Sequence, residues 1–212
     1  MQRRLAKHRC PGCEIRKALC FCDAIPHLSL QTRVVILMHV SEEVLTTNTA
    51  KLASKALTNC EIRIRGRKGN PLETAGLVPS GGQAVMLYPS PHAAEFSVEF
   101  ASRLARPVTV IVPDGSWAQA RRMVRREPAL AGIPHVKLPP GPPSEYRLRV
   151  QRSAMDLCTL EAIARAIGIL ESHEAQGRLE ALLRVMVERT LWSRGTLAAD
   201  ECRHAVIPEA AF

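Results

Sequence analysis

Val108-Thr109-Val110-Ile111-Val112-Pro113-Asp114-Gly115-Ser116-Trp117 is the stretch on which the fold turns. Pro107 introduces a short apolar run, Pro113 stops it, and an Asp-Gly-Ser turn leads into a helix expected over Trp117 to Arg126. A second run upstream, Val34-Val35-Ile36-Leu37-Met38, is rich in β-branched residues and reads as a strand buried on both faces, as in a parallel sheet. Ala84 to Tyr88, stopped by Pro89, and His135 to Leu138 read as two more core strands. Glu61 to Arg65 alternates charge with Ile and suits an edge. Helices are expected near Thr49 to Leu57, Ala93 to Leu104, Leu157 to Leu170 and Glu174 to Leu191. Strands alternating with helices give an α/β domain with a mostly parallel sheet.

The 212 residues suit one domain with a small appendage. Hydrophobic residues make up 46% and charged residues 23%, which supports a real core and excludes wholesale disorder. No apolar run approaches the ~18–20 residues that span a bilayer, so a membrane protein is not expected. Met1 to Arg9 is basic and lacks the apolar segment of a secretory signal. Lys and Arg number 29 against 20 Asp and Glu, a net charge of +9, and 23 of the cations are Arg. Arg presents a planar fork for phosphate, so the bias fits a nucleic-acid partner; a GC-rich codon preference would give the same count.

Four of the seven cysteines crowd into Cys10-Pro11-Gly12-Cys13 and Cys20-Phe21-Cys22. An odd number of cysteines without a secretory signal points to a reducing, cytoplasmic compartment, where clustered thiols are metal ligands rather than disulfides. C-x2-C-x6-C-x-C can close a tetrahedral, structural Zn²⁺ site with no open position. Met1 to Leu30 has too few apolar residues to fold by burial alone, so the chain divides into a zinc knuckle over 1–30 and an α/β body over 31–212.

Asp114 falls at the carboxyl end of a central strand, where ligands bind in α/β sheets. Gly115 allows backbone to approach a ligand, and Ser116 with the helix start offers donors. A helix cap plus a core Trp would explain the same residues. Tyr146-Arg147-Leu148-Arg149 and Cys158-Thr159-Leu160-Glu161-Ala162 form a further pair of motifs. Thr159 and Glu161 sit at a helix start, where a hydroxyl caps and a carboxylate suits the dipole. Leu87-Tyr88-Pro89-Ser90 is a strand end with a forced turn.

Taken in order, these pieces resemble the DTW-domain family, named for an Asp-x-Thr-Trp motif that appears here as Asp114-Gly115-Ser116-Trp117. The resemblance includes His39, Glu42 and Thr47-Asn48-Thr49 and runs over nearly the whole chain. Two departures stand out: Ser116 replaces Thr, and Cys158 stands where Ser is expected. The resemblance implies a tRNA-uridine aminocarboxypropyltransferase related to ribosomal-RNA enzymes of the same chemistry. It implies a SPOUT-like fold with a C-terminal knot, with 31–212 as the catalytic domain. The co-substrate would be S-adenosylmethionine and the acceptor N3 of a uridine, favouring the tRNA variable loop, with 5′-methylthioadenosine released.

On that reading Asp114 is the first candidate base or donor-orienting group, and Glu161 the second. Leu87, Tyr88, Pro89, Ser90, Asp114, Gly115, Ser116, Trp117, Leu138, Leu148 and Thr159 are expected around the cofactor, with Trp117 expected to pack in the core. Arg121, Arg122, Arg125 and Arg126, and separately Arg147, Arg149 and Arg152, could hold tRNA phosphates. Arg3, Arg4, Lys7, Arg9, Arg16 and Lys17 would give the knuckle an RNA-facing surface. A SPOUT-type RNA methyltransferase, a zinc-containing RNA-binding protein without catalysis, and the same chemistry on ribosomal RNA are the competing readings. A monomer is favoured over an oligomer. Cys60, Cys158 and Cys202 are expected as small core residues.

Overall fold

The computed structural model describes residues 8–149, 156–208 and 211. Arg3, Arg4, Lys7 and Arg152 lie outside the described residues. Six strands form one sheet: β1 (Arg33–His39), β2 (Cys60–Arg65), β3 (Gln83–Leu87), β4 (Ala94–Glu95), β5 (Val108–Asp114) and β6 (His135–Lys137). Their order is β2-β1-β5-β3-β6-β4, and every pairing is parallel. The α/β expectation holds.

Two interior strands, β1 and β5, show why the apolar runs are unbroken. Val34, Ile36 and Met38 of β1, with Val110 and Val112 of β5, face one layer; Val35, Leu37 and Ile111 face the other. Side chains alternate along a strand, so a strand covered on both faces needs apolar residues at both parities. The first layer is built by α1 (Thr49–Ala56), α4 (Thr159–Leu170) and α5 (His173–Ser193). The second is thinner: Met123 of α3 (Trp117–Arg126) packs there with Leu72, Leu77, Leu130 and Ile133.

Three elements depart from expectation. β5 runs on through Pro113 to Asp114, because β3 stops pairing at Ile111 and only β1 accompanies the last residues. A proline is tolerated where one side of the strand has no ladder partner. The helix expected over Ala93 to Leu104 is instead β4 followed by α2 (Val98–Ser102). Phe96 is fully buried in extended chain, its N–H donates to Lys137 O, and Ser97 caps the short helix by accepting from Phe100 N at 3.1 Å. Finally, Trp117 is 43% exposed and does not fill the core.

The knuckle is docked, not tethered. Ile15, Leu19 and Phe21 are buried in the same core as α1 and α5. Arg189 of α5 donates to Leu19 O at 3.1 Å and also to Cys20 O. Lys51 of α1 pairs with Glu14 at 3.0 Å.

Candidate active site

Parallel pairing sets the C-terminal ends of β1 and β5 side by side, with Met38 opposite Asp114. There the chain leaves the sheet through Gly115 at φ +153°, backbone that L side chains rarely adopt. A Cβ at this position would also stand 3.0 Å from Gln119 Oε1 and 3.3 Å from His39 Cβ. Ser116 then opens α3 with a capping box: its Oγ accepts from Gln119 N at 3.3 Å while Gln119 Oε1 accepts from Ser116 N at 2.7 Å. The Gln119 amide also donates to His39 Nδ1 at 3.1 Å, tying the turn to the end of β1. The Asp-Gly-Ser turn is thus held from both strands.

Asp114 itself is only 5% exposed. Thr159, at the start of α4, donates to Oδ1 at 2.5 Å, and Asn48 Nδ2 donates to Oδ2 at 2.9 Å. Asn48 cannot turn over, because its Oδ1 accepts from Lys51 N at 3.1 Å and so caps α1. Two helix starts therefore converge on one carboxylate. Burial pushes the Asp114 carboxyl above the usual carboxylate range; the Thr159 and Asn48 donors oppose that, and the nearby Glu42 charge adds to it. An ionised carboxylate offers about four acceptor directions, so two donors leave capacity for an incoming N–H.

A cleft of about 380 Å³ opens over this group. Its wall carries Glu42, Asp114 and Asp156 against Arg149, together with Trp117 and Thr159. Arg149 reaches Glu42 at 3.4 Å, and Asn48 Nδ2 lies 3.3 Å from the same Glu42 oxygen. The volume falls within the ~300–1,000 Å³ of small-molecule sites.

Asp114, Gly115, Ser116, Trp117 and Thr159 come together in this cleft, and Arg149 with them. Tyr88 meets the rim through Trp117, ring centroids 6.4 Å apart. Leu87, Pro89, Ser90, Leu138 and Leu148 do not line the cleft. Ser90 instead bonds His135 Nδ1 at 2.8 Å. Glu161 is also set apart. Its carboxylate accepts from Glu145 N at 2.7 Å, Ser144 Oγ at 2.6 Å and Cys158 N at 2.8 Å. These bonds pin the loop that carries Tyr146, whose hydroxyl donates to Thr47 O at 3.0 Å. Glu161 therefore fastens this loop and does not itself line the cleft. Cys158 packs against the core and also lines the cleft, and burial pushes its thiol up, so it stays protonated.

Glu42 and Asn48 have no role legible in the sequence beyond their place in a resemblance. The available signal was an Asn directly before an apolar-periodic helix, which marks a cap but not what its amide reaches. Arg121, Arg122 and Arg125 stand exposed on α3 beyond the turn, whereas Arg147 lies in a separate polar pocket beside Arg184 and Glu188.

The second cluster is the cysteines. Cys10 and Cys22 sulfurs lie 3.5 Å apart, Cys10 and Cys20 3.4 Å, Cys13 and Cys20 3.8 Å, and all four fall within 4.8 Å. A Zn²⁺ tetrahedron with Zn–S near 2.3 Å has S–S edges of about 3.8 Å. A Cβ on Gly12 would come within 2.5 Å of Cys22 Sγ, so this turn requires glycine to bring the sulfurs together. The four residues can hold a metal ion, and four thiolates would fill a tetrahedral shell and leave no open position.

A family model described as DTW domain matches residues 7–191. Among curated proteins, tRNA-uridine aminocarboxypropyltransferase 2 of Drosophila melanogaster is 31% identical over 172 residues, 78% of this chain and 68% of the relative. The proteins of the same name from Macaca fascicularis and Mus musculus are each 28% identical, covering 79% and 77% of this chain. The matched region spans only 59% and 57% of those two relatives.

Proposed function

This chain belongs to the DTW-domain family, and on that premise we propose that it transfers the 3-amino-3-carboxypropyl group of S-adenosylmethionine to N3 of a tRNA uridine. The variable loop is the expected location, and 5′-methylthioadenosine the by-product. The observation that carries the reading is Asp114: a buried carboxylate at a strand end, held by two donors and turned toward a cleft. Names of the relatives support the substrate class.

The cleft wall fits the donor by charge. Three carboxylates against one guanidinium suit a molecule bearing a sulfonium and an ammonium, and Arg149 is placed to take its carboxylate. When bound, S-adenosylmethionine supplies an activated leaving group, since breaking the bond from sulfur to the transferred methylene carbon releases a neutral thioether. The chain's own work is positioning and proton transfer. Uridine N3 carries a proton and attacks only as that proton leaves. An oxygen of Asp114 accepts it while the N3 electron pair forms the new N–C bond. A raised carboxyl makes Asp114 a better base than a free Asp near pKa 4. Thr159 and Asn48 keep it aimed.

The SPOUT-like label and the C-terminal knot belong to this proposal. The parallel sheet supports them. A catalytic body over 31–212, Zn²⁺ in the cysteine site and a cytoplasmic location belong to the proposal as well. Among the described residues no helix is long and apolar enough to cross a membrane.

The reaction is tested by its products. The protein is incubated with S-adenosylmethionine and unmodified tRNA transcript, and both small molecules and digested RNA are weighed by mass spectrometry. Methylthioadenosine with an aminocarboxypropyl-uridine is expected. S-adenosylhomocysteine with a methylated base would mean methyl transfer, and no product would point first to ribosomal RNA as the acceptor and then to a binding protein.

The pH profile gives a second test with opposed signs. A base works deprotonated, so kcat/KM should fall on the acid side with an apparent pKa above about 4. Thr159→Val removes a donor that favours the carboxylate and should move that limb to higher pH. Glu42→Gln removes a repelling charge and should move it to lower pH. Shifts of the same sign in both variants would count against Asp114 as the titrating group.

A further inference from the structure

The cleft over Asp114 is acidic, so it repels the phosphates of the acceptor that the tRNA reading requires. A second cavity of about 320 Å³ adjoins it at Thr47, which lines both. This groove runs between the knuckle and the C-terminal end of α5, and His8, Arg9, Arg16 and Arg194 line it. No Asp or Glu does. The larger pocket around Arg147 is different, since Glu145, Glu188, Asp200 and Glu201 offset Arg147, Arg184 and Arg203 there.

The knuckle holds its cations at a local cost. Arg9 and Arg16 pair directly across an antiparallel bridge, and like charges facing each other across strands are destabilising. Arg9 donates to Glu14 O at 2.8 Å and Arg194 to Leu148 O at 3.4 Å, each using one of five guanidinium donors. Among the described residues no carboxylate pairs with Arg9, Arg16 or Arg194, although Glu14 lies close by and is engaged by Lys51. Folding gives no reason to gather three arginines without an acid around a concavity beside the reaction cleft. A polyanion does.

We propose that the phosphodiester backbone of the RNA acceptor lies in the groove between the cysteine knuckle and the end of α5, crossing Thr47 to present its base to the cleft. The inference rests on the tRNA reading and specifies how the substrate is held. The metal-stapled knuckle thereby becomes one wall of the RNA site, and phosphate contacts there set register without reading sequence.

The test compares wild type, Arg16→Ala/Arg194→Ala and Arg16→Lys/Arg194→Lys, as full chains of equal zinc content, binding end-labelled unmodified tRNA transcript. The Ala pair should weaken binding on the order of tenfold at 0.15 M salt and flatten the slope of log K against log salt by about 1.5 to 2. The Lys pair keeps the charges and should bind within about twofold to threefold of wild type. S-adenosylmethionine affinity should be the same in all three. Unchanged tRNA affinity and slope in the Ala pair would overturn the groove, whether or not product forms. The expected binding signature without any product would overturn the catalytic reading and support the groove.

Discussion

Asp114→Asn should lower kcat by about a hundred- to ten-thousandfold, the usual worth of a positioned general base, while the protein folds and still binds S-adenosylmethionine. The fold is expected to survive because the amide fits the hydrogen bonds already present. Asn48 must donate, since its Oδ1 is committed to Lys51 N, so the new side-chain oxygen takes that bond. Thr159 can rotate its hydroxyl from donor to acceptor and receive the new NH₂. Burial raises the Asp114 carboxyl in the folded state, so its contribution to stability is present below the unfolded pKa of about 3.9 and is lost as pH rises through the folded value. At neutral pH the buried charge therefore costs stability, and the amide should melt at or above the wild-type temperature. Single-turnover kinetics and a thermal melt at pH 7 check both halves. A loss confined to the KM for S-adenosylmethionine would assign Asp114 to orienting the donor instead of taking the proton.

The fold was legible because two interior strands are apolar at both parities. Val34 to Met38 and Val108 to Val112 admit one arrangement, a parallel sheet covered on both faces. The cysteine cluster was legible because it is local, four sulfurs within thirteen residues. Asp114 could be placed from its strand, since a strand end in such a sheet is a ligand position. Its partners could not. Asn48 is 66 residues away and Thr159 45, and both read locally as ordinary helix caps. The cap reading of Asn48 is correct and incomplete, because its amide has a second end. Glu161 went the other way: its helix-start reading accounts for only one of three bonds, and the other two fasten a loop sixteen and seventeen residues upstream. Trp117 misled because a Trp at the first position of a helix gives no sign of which layer it meets, and the layer beyond α3 is thin. The helix expected after Ala93 failed on Phe96, whose burial holds the backbone extended against β6.

Removing metal from the cysteine site should cost more stability than any ordinary point mutation in this chain. Alone, Leu19, Phe21 and Ile15 could not hold residues 8–30 in one conformation, yet all three are buried in the main core. The four sulfurs supply the missing constraint. If the staple opens, the knuckle leaves α5 and α1, and those three side chains are exposed. At roughly 1.5–3 kcal/mol for each fully buried large apolar side chain, that is on the order of 5 kcal/mol. A chain of this length shifts its melting temperature by about 2–4 °C per kcal/mol, so chelation should lower Tm by roughly 10–20 °C. Cys20→Ser should do the same, because its sulfur contacts both Cys10 and Cys13. Cys60→Ser and Cys202→Ser, outside the cluster, should keep full metal content by elemental analysis. Proteolysis of the stripped protein should begin within 8–30, where the exposed segment has lost both the metal and the hydrogen bonds from Arg189. A melt within about 2 °C of the untreated protein, with zinc shown to be gone, would mean the core holds the knuckle unaided. The cysteines would then need a role other than a structural one.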